Sequence, residues 1–115
     1  MHKIIIHNDI LEDYEDEVFS VLNGKICLKK NGEYEIWYES CCRVNLFLRV
    51  LPGIVAKVFI GSIDNDLAVC NHYVLEKNSQ LMLFQFYYNQ NVVENTVIDL
   101  DGEKAIFNLG FSSIS

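Results

Sequence analysis

From Lys25 to Leu109 apolar residues recur at every second position, and this alternation limits the fold more than any other feature of the chain. "RVNLFLRVL" (43–51) shows it most cleanly, with Val44, Leu46, Leu48 and Val50 facing one way. "LPG" (51–53) then turns the chain and "IVAKVFI" (54–60) returns. "LAVCNHYVL" (67–75), "LMLFQFYY" (81–88), "VVENTVI" (92–98) and "KAIFNL" (104–109) follow as further strands. The segments between them, "GSIDND", "EKNSQ", "NQN" and "DLDGE", are rich in turn residues. Several of these strands are apolar on both faces, so they sit centrally or line a closed barrel. No linker, repeat or low-complexity tract stands out.

"KICLKKNGEYEIWYES" (25–40) reads as a hairpin around Asn31-Gly32. A two-residue turn would set Leu28 opposite Glu35. A three-residue loop, Lys30-Asn31-Gly32, pairs Lys29 with Glu33 instead. That register collects Ile26, Leu28, Tyr34, Ile36 and Tyr38 on one face and leaves Lys25, Cys27, Lys29, Glu33, Glu35 and Trp37 on the other. The second separates apolar from polar better, and register follows that pattern.

The N-terminal part carries a different rhythm. "KIII" (3–6) suits a short strand, and "DILEDYEDE" (9–17) then gathers six carboxylates into nine positions. At about 100° per residue, Ile10, Leu11, Tyr14, Val18, Val21 and Leu22 share an arc of about 120°. Asp9 and Glu12 fit a capping box, and Asn23-Gly24 supplies a stop. The pattern predicts a helix over 10–22. It comes at a cost, because Glu12/Asp16 and Asp13/Glu17 are like charges at i, i+4, each unfavourable by about 0.2–0.5 kcal/mol. No basic residue within 9–22 compensates. The predicted architecture is a single α+β domain over 1–115. One N-terminal helix packs on a curved, mostly antiparallel, barrel-like sheet of about eight strands.

With 16 acidic against 9 basic residues, the formal net charge is −7. That argues against direct binding to nucleic acid or an anionic membrane, which requires a basic surface. "MHKIIIHNDI" lacks the apolar core of a signal peptide, and "VNLFLRVLPGIVAKVFIGSI" is broken by Arg49, Pro52 and Lys57, so no membrane span is expected. The reading is a soluble, cytoplasmic chain. Cys27, Cys41, Cys42 and Cys70 form no familiar disulfide framework and are expected as reduced thiols.

The candidate chemistry is sparse. Cys70 and His72 share a strand face, but i and i+2 residues lie about 6.5–7 Å apart, too far for a nucleophile and its base. "DND" (64–66) and "DLDG" (99–102) do not continue into calcium-loop spacing and read as turn aspartates. No metal, cofactor or catalytic set is expected. The aromatic run "FQFYY" (84–88) reads as core, or alternatively as the lining of a cavity shared with His72, in a small β-rich ligand-binding protein or enzyme.

The acidic run is the strongest functional signal. Glu12, Asp13, Glu15 and Asp16 form a surface able to steer a basic protein partner. Trp37, among Glu33 and Glu35, forms a second patch of binding-hot-spot character. In size, acidity and lack of catalytic motifs the chain resembles the small acidic immunity proteins that bacteria make against their own toxins, such as those of contact-dependent growth inhibition systems. The resemblance implies a non-catalytic inhibitor that binds a cognate toxin domain, often a basic nuclease, through those acidic residues.

Overall fold

A chain of short alternating strands can bury its apolar face by pairing neighbours in hairpins or by coiling, and this one coils. The computed structural model describes residues 1–62, 66–88 and 91–114, without the side chains of Tyr88 and residues 111–114. Its strands are β1 (His2–His7), β2 (Tyr14–Glu15), β3 (Phe19–Leu22), β4 (Lys25–Leu28) and β5 (Gly32–Glu39). They continue as β6 (Arg43–Val50), β7 (Val55–Ser62), β8 (Leu67–Glu76), β9 (Gln80–Tyr88), β10 (Val92–Asp101) and β11 (Ile106–Ile114). From β4 onward, consecutive strands alternate between two sheets. Sheet A has the order β1-β5-β7-β9-β11, and sheet B the order β10-β8-β6-β4-β3-β2. Pairing is parallel throughout sheet A and from β4 to β10 in sheet B. Only β2–β3 and β3–β4 are antiparallel. The result is a flattened, two-sheeted β-solenoid.

Each coil places its inward side chains on those of the coil before. Ile26, Leu48, Tyr73 and Ile98 form one ladder, and Leu28, Val50, Leu75 and Leu100 another. Across the core, Tyr34, Val58, Leu83 and Leu109 stack in sheet A. The inward residues of β1 and of β3 to β9 make one contiguous core, against which Val92 and Phe107 of the last coil pack. The ladder positions recur every 22 to 26 residues, so the chain does contain a repeat. It is a repeat of polarity and not of residue identity, which is why the sequence does not display it.

Three expectations are corrected. The α+β architecture with an antiparallel, barrel-like sheet gives way to a mostly parallel stack. The 25–40 segment is no hairpin, since β4 pairs with β3 and β6, and β5 with β1 and β7. Its inward set of Ile26, Leu28, Tyr34, Ile36 and Tyr38 is nonetheless the one expected, all buried. Alternation determines which face is buried, and it is the same for strands that pair and strands that face each other across a core.

The third correction is the helix over 10–22, because no helix occurs among the described residues. Ile10, Tyr14 and Leu22, three members of the proposed apolar arc, are exposed, while Phe19 and Val21 alternate into the core. Asn23 and Gly24, at φ 52° and 75°, form the tight turn between β3 and β4 and not a helix stop. Both central positions need positive φ in such a turn, which Asn-Gly supplies at low cost. Three of the carboxylates meanwhile accept from backbone donors, Asp16 locally and Asp13 and Asp9 from more distant segments. Asp16 Oδ1 accepts from the N–H groups of Val18 and Phe19 at 2.7 and 2.9 Å. Asp13 accepts from Asn23 N–H, and Asp9 from Cys42 and Arg43 N–H. Like-charge repulsion in the helix and these side-chain-to-backbone bonds outside it favour an irregular cap over residues 8–18, which contains β2.

The cap carries a pH signature. The Phe19 N–H first, then the Tyr14 hydroxyl and the Val18 N–H, hold the Asp16 carboxyl below its ordinary value. A depressed folded-state value means that this contribution is present above the unfolded value and is lost as pH falls through the folded one. Asp16→Asn is therefore expected to flatten the fall in melting temperature as pH drops through the ordinary aspartate range and below it. Thermal unfolding of both proteins across that range measures it; parallel curves would exclude the assignment.

Candidate functional site

A groove of about 770 Å³ lies at the N-terminal end of the stack, between β1 and the cap. The parallel stack places it there, because β1 is the edge strand of sheet A and β2 the edge strand of sheet B. The inward residues Ile4, Phe19 and Val21 lie at its base with Leu11, and exposed Ile5, Ile10 and Tyr14 extend the apolar surface. Glu12, Asp13 and Asp16 line it as well, together with Lys3, His2 and His7. Glu15 sits beside it, exposed on β2. Tyr14 stacks on Phe19 with ring centroids 4.9 Å apart and donates its hydroxyl to Asp16. That hydrogen bond raises the phenol above its ordinary value.

The four acidic residues expected to act together therefore divide. Asp13 and Asp16 are committed to backbone N–H groups of the cap. Glu12 and Glu15 make no hydrogen bond or ion pair among the described residues, and they remain available to a partner.

The second expected patch lies next door. Glu33, Glu35, Trp37 and Glu39 project from the outer face of β5, and parallel pairing sets Lys3 beside Glu35, Ile5 beside Trp37 and His7 beside Glu39. Lys3, Ile5 and His7 also line the groove, so β1 joins the two patches into one surface. The Trp37 indole lies over Gly61, and its N–H donates to Glu35 at 3.3 Å. Glu33 is 4.0 Å from Lys57 Nζ. Beyond Gly61, Phe59, Phe84 and Phe86 continue an aromatic face, with Phe59 and Phe84 stacked at 5.1 Å. The sequence signal for this face was present in the alternation of β7 and β9, but it became readable only once those strands were known to be neighbours.

Gly61 is what lets the indole lie flat. A Cβ at that position would stand 2.6 Å from the Trp37 ring. Gly61→Ala is expected to lift the indole off the sheet, and because Trp37 is the only tryptophan, fluorescence reports this residue alone. A red-shifted emission and faster acrylamide quenching than in the wild type are expected; an unchanged spectrum would place the indole elsewhere.

Other candidates resolve as follows. Cys70 and His72 do share the outer face of β8, but His72 Nε2 bonds Asp99 at 2.5 Å and makes no hydrogen bond to Cys70. Asp99 and Asp101 of "DLDG" belong to β10 and not to a loop, and within "DND" Asp64 and Asn65 lie outside the described residues. The cysteines are free, with Cys41 buried and its thiol pushed up by that burial. Phe84 and Phe86 stand on the outer face of sheet A and His72 on that of sheet B, so they share no cavity. Among the described residues no group of three or more His, Cys, Asp or Glu could hold a metal ion, and no helix is long and apolar enough to cross a membrane. A partly buried polar cluster was not anticipated: Glu94 Oε1 accepts from Asn71, Gln85 and the exposed Thr96. The buried Tyr38, Tyr73 and Tyr87 are raised well above the ordinary phenol value by burial first; the Glu94 charge comes next for Tyr73 and Tyr87, and after Tyr87 and Tyr73 for Tyr38.

The fold and this surface define a two-sheeted, mostly parallel β-solenoid with an acid-rimmed groove of mixed polarity at one end. Comparison with protein-family models, curated proteins and solved structures finds no match to the chain.

Proposed function

We propose that this is a non-catalytic binding protein that engages a basic protein partner at its N-terminal end, in the manner of an immunity protein neutralising a cognate toxin domain. The observation that carries the reading is the continuity of the groove with the Trp37 face. Glu12 and Glu15, unpaired among the described residues, an apolar base and a flat indole with its N–H satisfied meet across a single edge strand. Carboxylates at a rim accelerate encounter with a positive surface, and a rigid aromatic anchor slows escape. Asp13 and Asp16 support this surface by ordering the cap. A partner strand could also extend sheet A at the β1 edge, adding main-chain hydrogen bonds to the charge contacts.

The test is affinity capture from the source cells with the wild-type chain and with Glu12→Lys/Glu15→Lys. A basic protein retained in moderate salt by the wild type and lost from the variant supports the proposal. Equal capture by both, or capture of an acidic partner, overturns it.

A further inference from the structure

We propose that the opposite end of the solenoid, formed by β10 and β11, docks a second copy of this chain end to end across a two-fold axis. Ile98, Leu100 and Leu109 hold the inward register positions of Tyr73, Leu75 and Leu83, which are at most 1% exposed. In the last coil they are 40%, 55% and 58% exposed. Both β10 and β11 are also the end strands of their sheets, each with one backbone edge unpaired among the described residues. Stacked repeats need a cap at each end, and flat unpaired edges are templates for further strands. At the N-terminal end the cap and β3 meet part of that need, while among the described residues nothing equivalent covers β10 and β11.

Symmetry and area select the occupant. A two-fold axis perpendicular to the stack, lying either along the strands or across the two sheets, sets each end strand antiparallel to the strand it meets, a pairing that satisfies both backbone edges. Strands of about 30 Å in two sheets about 10 Å apart, with their side chains, present roughly 600 Å² per copy, or about 1,200 Å² in all. That reaches the lower bound of about 1,200 Å² for a stable specific interface. Asp99, Asp101 and Glu103 border this end with Lys104, so two copies bring like charges together. Salt will therefore strengthen this association, whereas it weakens an acidic surface bound to a basic partner.

Sedimentation of the full chain from about 1 to about 300 µM, at about 50 and about 500 mM salt, tests the proposal. A monomer–dimer equilibrium favoured by high salt is expected. Leu100→Lys/Leu109→Lys should raise the dimer dissociation constant by about 100-fold or more, since it buries unpaired ammonium groups. Leu22→Lys, exposed on β3, should leave it unchanged. Amide exchange on the wild type provides a readout that needs no variant to fold: protection of β10 and β11 must rise with protein concentration. A monomer at every concentration, open-ended oligomers, weakening by salt, a dimer indifferent to Leu100→Lys/Leu109→Lys, or exchange independent of concentration would each overturn it.

Discussion

Leu48→Ala is expected to lower the unfolding free energy by about 2–5 kcal/mol, and Leu100→Ala at monomeric concentration by less than about 1 kcal/mol. The two residues are both inward leucines of sheet B, on adjacent ladders. They differ in what covers them. Leu48 is 0% exposed, held between Ile26 and Tyr73 with sheet A across the core. Truncating it loses the transfer energy of the removed atoms and leaves a cavity that parallel neighbours on both sides cannot close. Leu100 has a neighbour on one side only and is already 55% exposed. At roughly 4 °C per kcal/mol for a chain of this size, Leu48→Ala should melt about 8–20 °C below the wild type, and Leu100→Ala within about 4 °C of it. Urea and thermal unfolding at about 1 µM protein measure both. Equal costs would mean that the second and fourth coils are equally enclosed in the monomer, which the solenoid does not permit. At high concentration the Leu100→Ala cost should grow if a second copy covers this end, so the pair of variants also reports on the proposed dimer.

The same ladders show where reading the sequence succeeds and where it stops. Val44, Leu46, Leu48 and Val50 could be assigned to the buried face from alternation alone, and so could Ile26, Leu28, Tyr34, Ile36 and Tyr38. Alternation is a local property of one strand, so it survives any choice of partner. Pairing is not local. A turn such as Lys30-Asn31-Gly32 can close a hairpin or carry the chain from one sheet to the facing one, and the same residues face inward either way. Ladder neighbours 22 to 26 residues apart differ in identity, as Ile26, Leu48 and Tyr73 do, so no repeated word betrays the coil. At the N-terminus the sequence misled for a different reason. Val18, Val21 and Leu22 satisfy a helical arc as well as a short strand does, and the deciding competition lay in Asp9, Asp13 and Asp16. Side-chain oxygens that can bond backbone donors in turns favour turns, and β3 gains a paired neighbour in β4 by remaining extended. The Trp37 patch was legible because Glu33, Glu35 and Trp37 lie on one strand. Its junction with the acidic residues was not, since it depends on the parallel pairing of β1 with β5.

That junction sets the design of the sharpest binding experiment. Reversing Glu12, Asp13, Glu15 and Asp16 together would confuse two effects, because Asp13 and Asp16 hold the backbone of the cap and their loss disorders the groove whatever their charge contributes. Glu12→Lys/Glu15→Lys changes charge without touching a hydrogen bond found in the fold. With the captured basic partner, this variant is expected to bind about 10²- to 10⁴-fold more weakly, mostly through slower association at low salt, with the difference from wild type shrinking as the Debye length falls. Trp37→Ala is expected to cost at least about 30-fold, as a buried aromatic anchor would, and mainly through faster dissociation with little salt dependence. Stopped-flow or surface-based kinetics at two ionic strengths separate these signatures, and circular dichroism confirms that each variant keeps its strands. If Trp37→Ala weakens binding while Glu12→Lys/Glu15→Lys does not, the partner sits on the outer face of sheet A and the groove is not part of the interface. If neither variant changes either rate constant, the continuous N-terminal surface is not the docking site, and the proposed function falls with it.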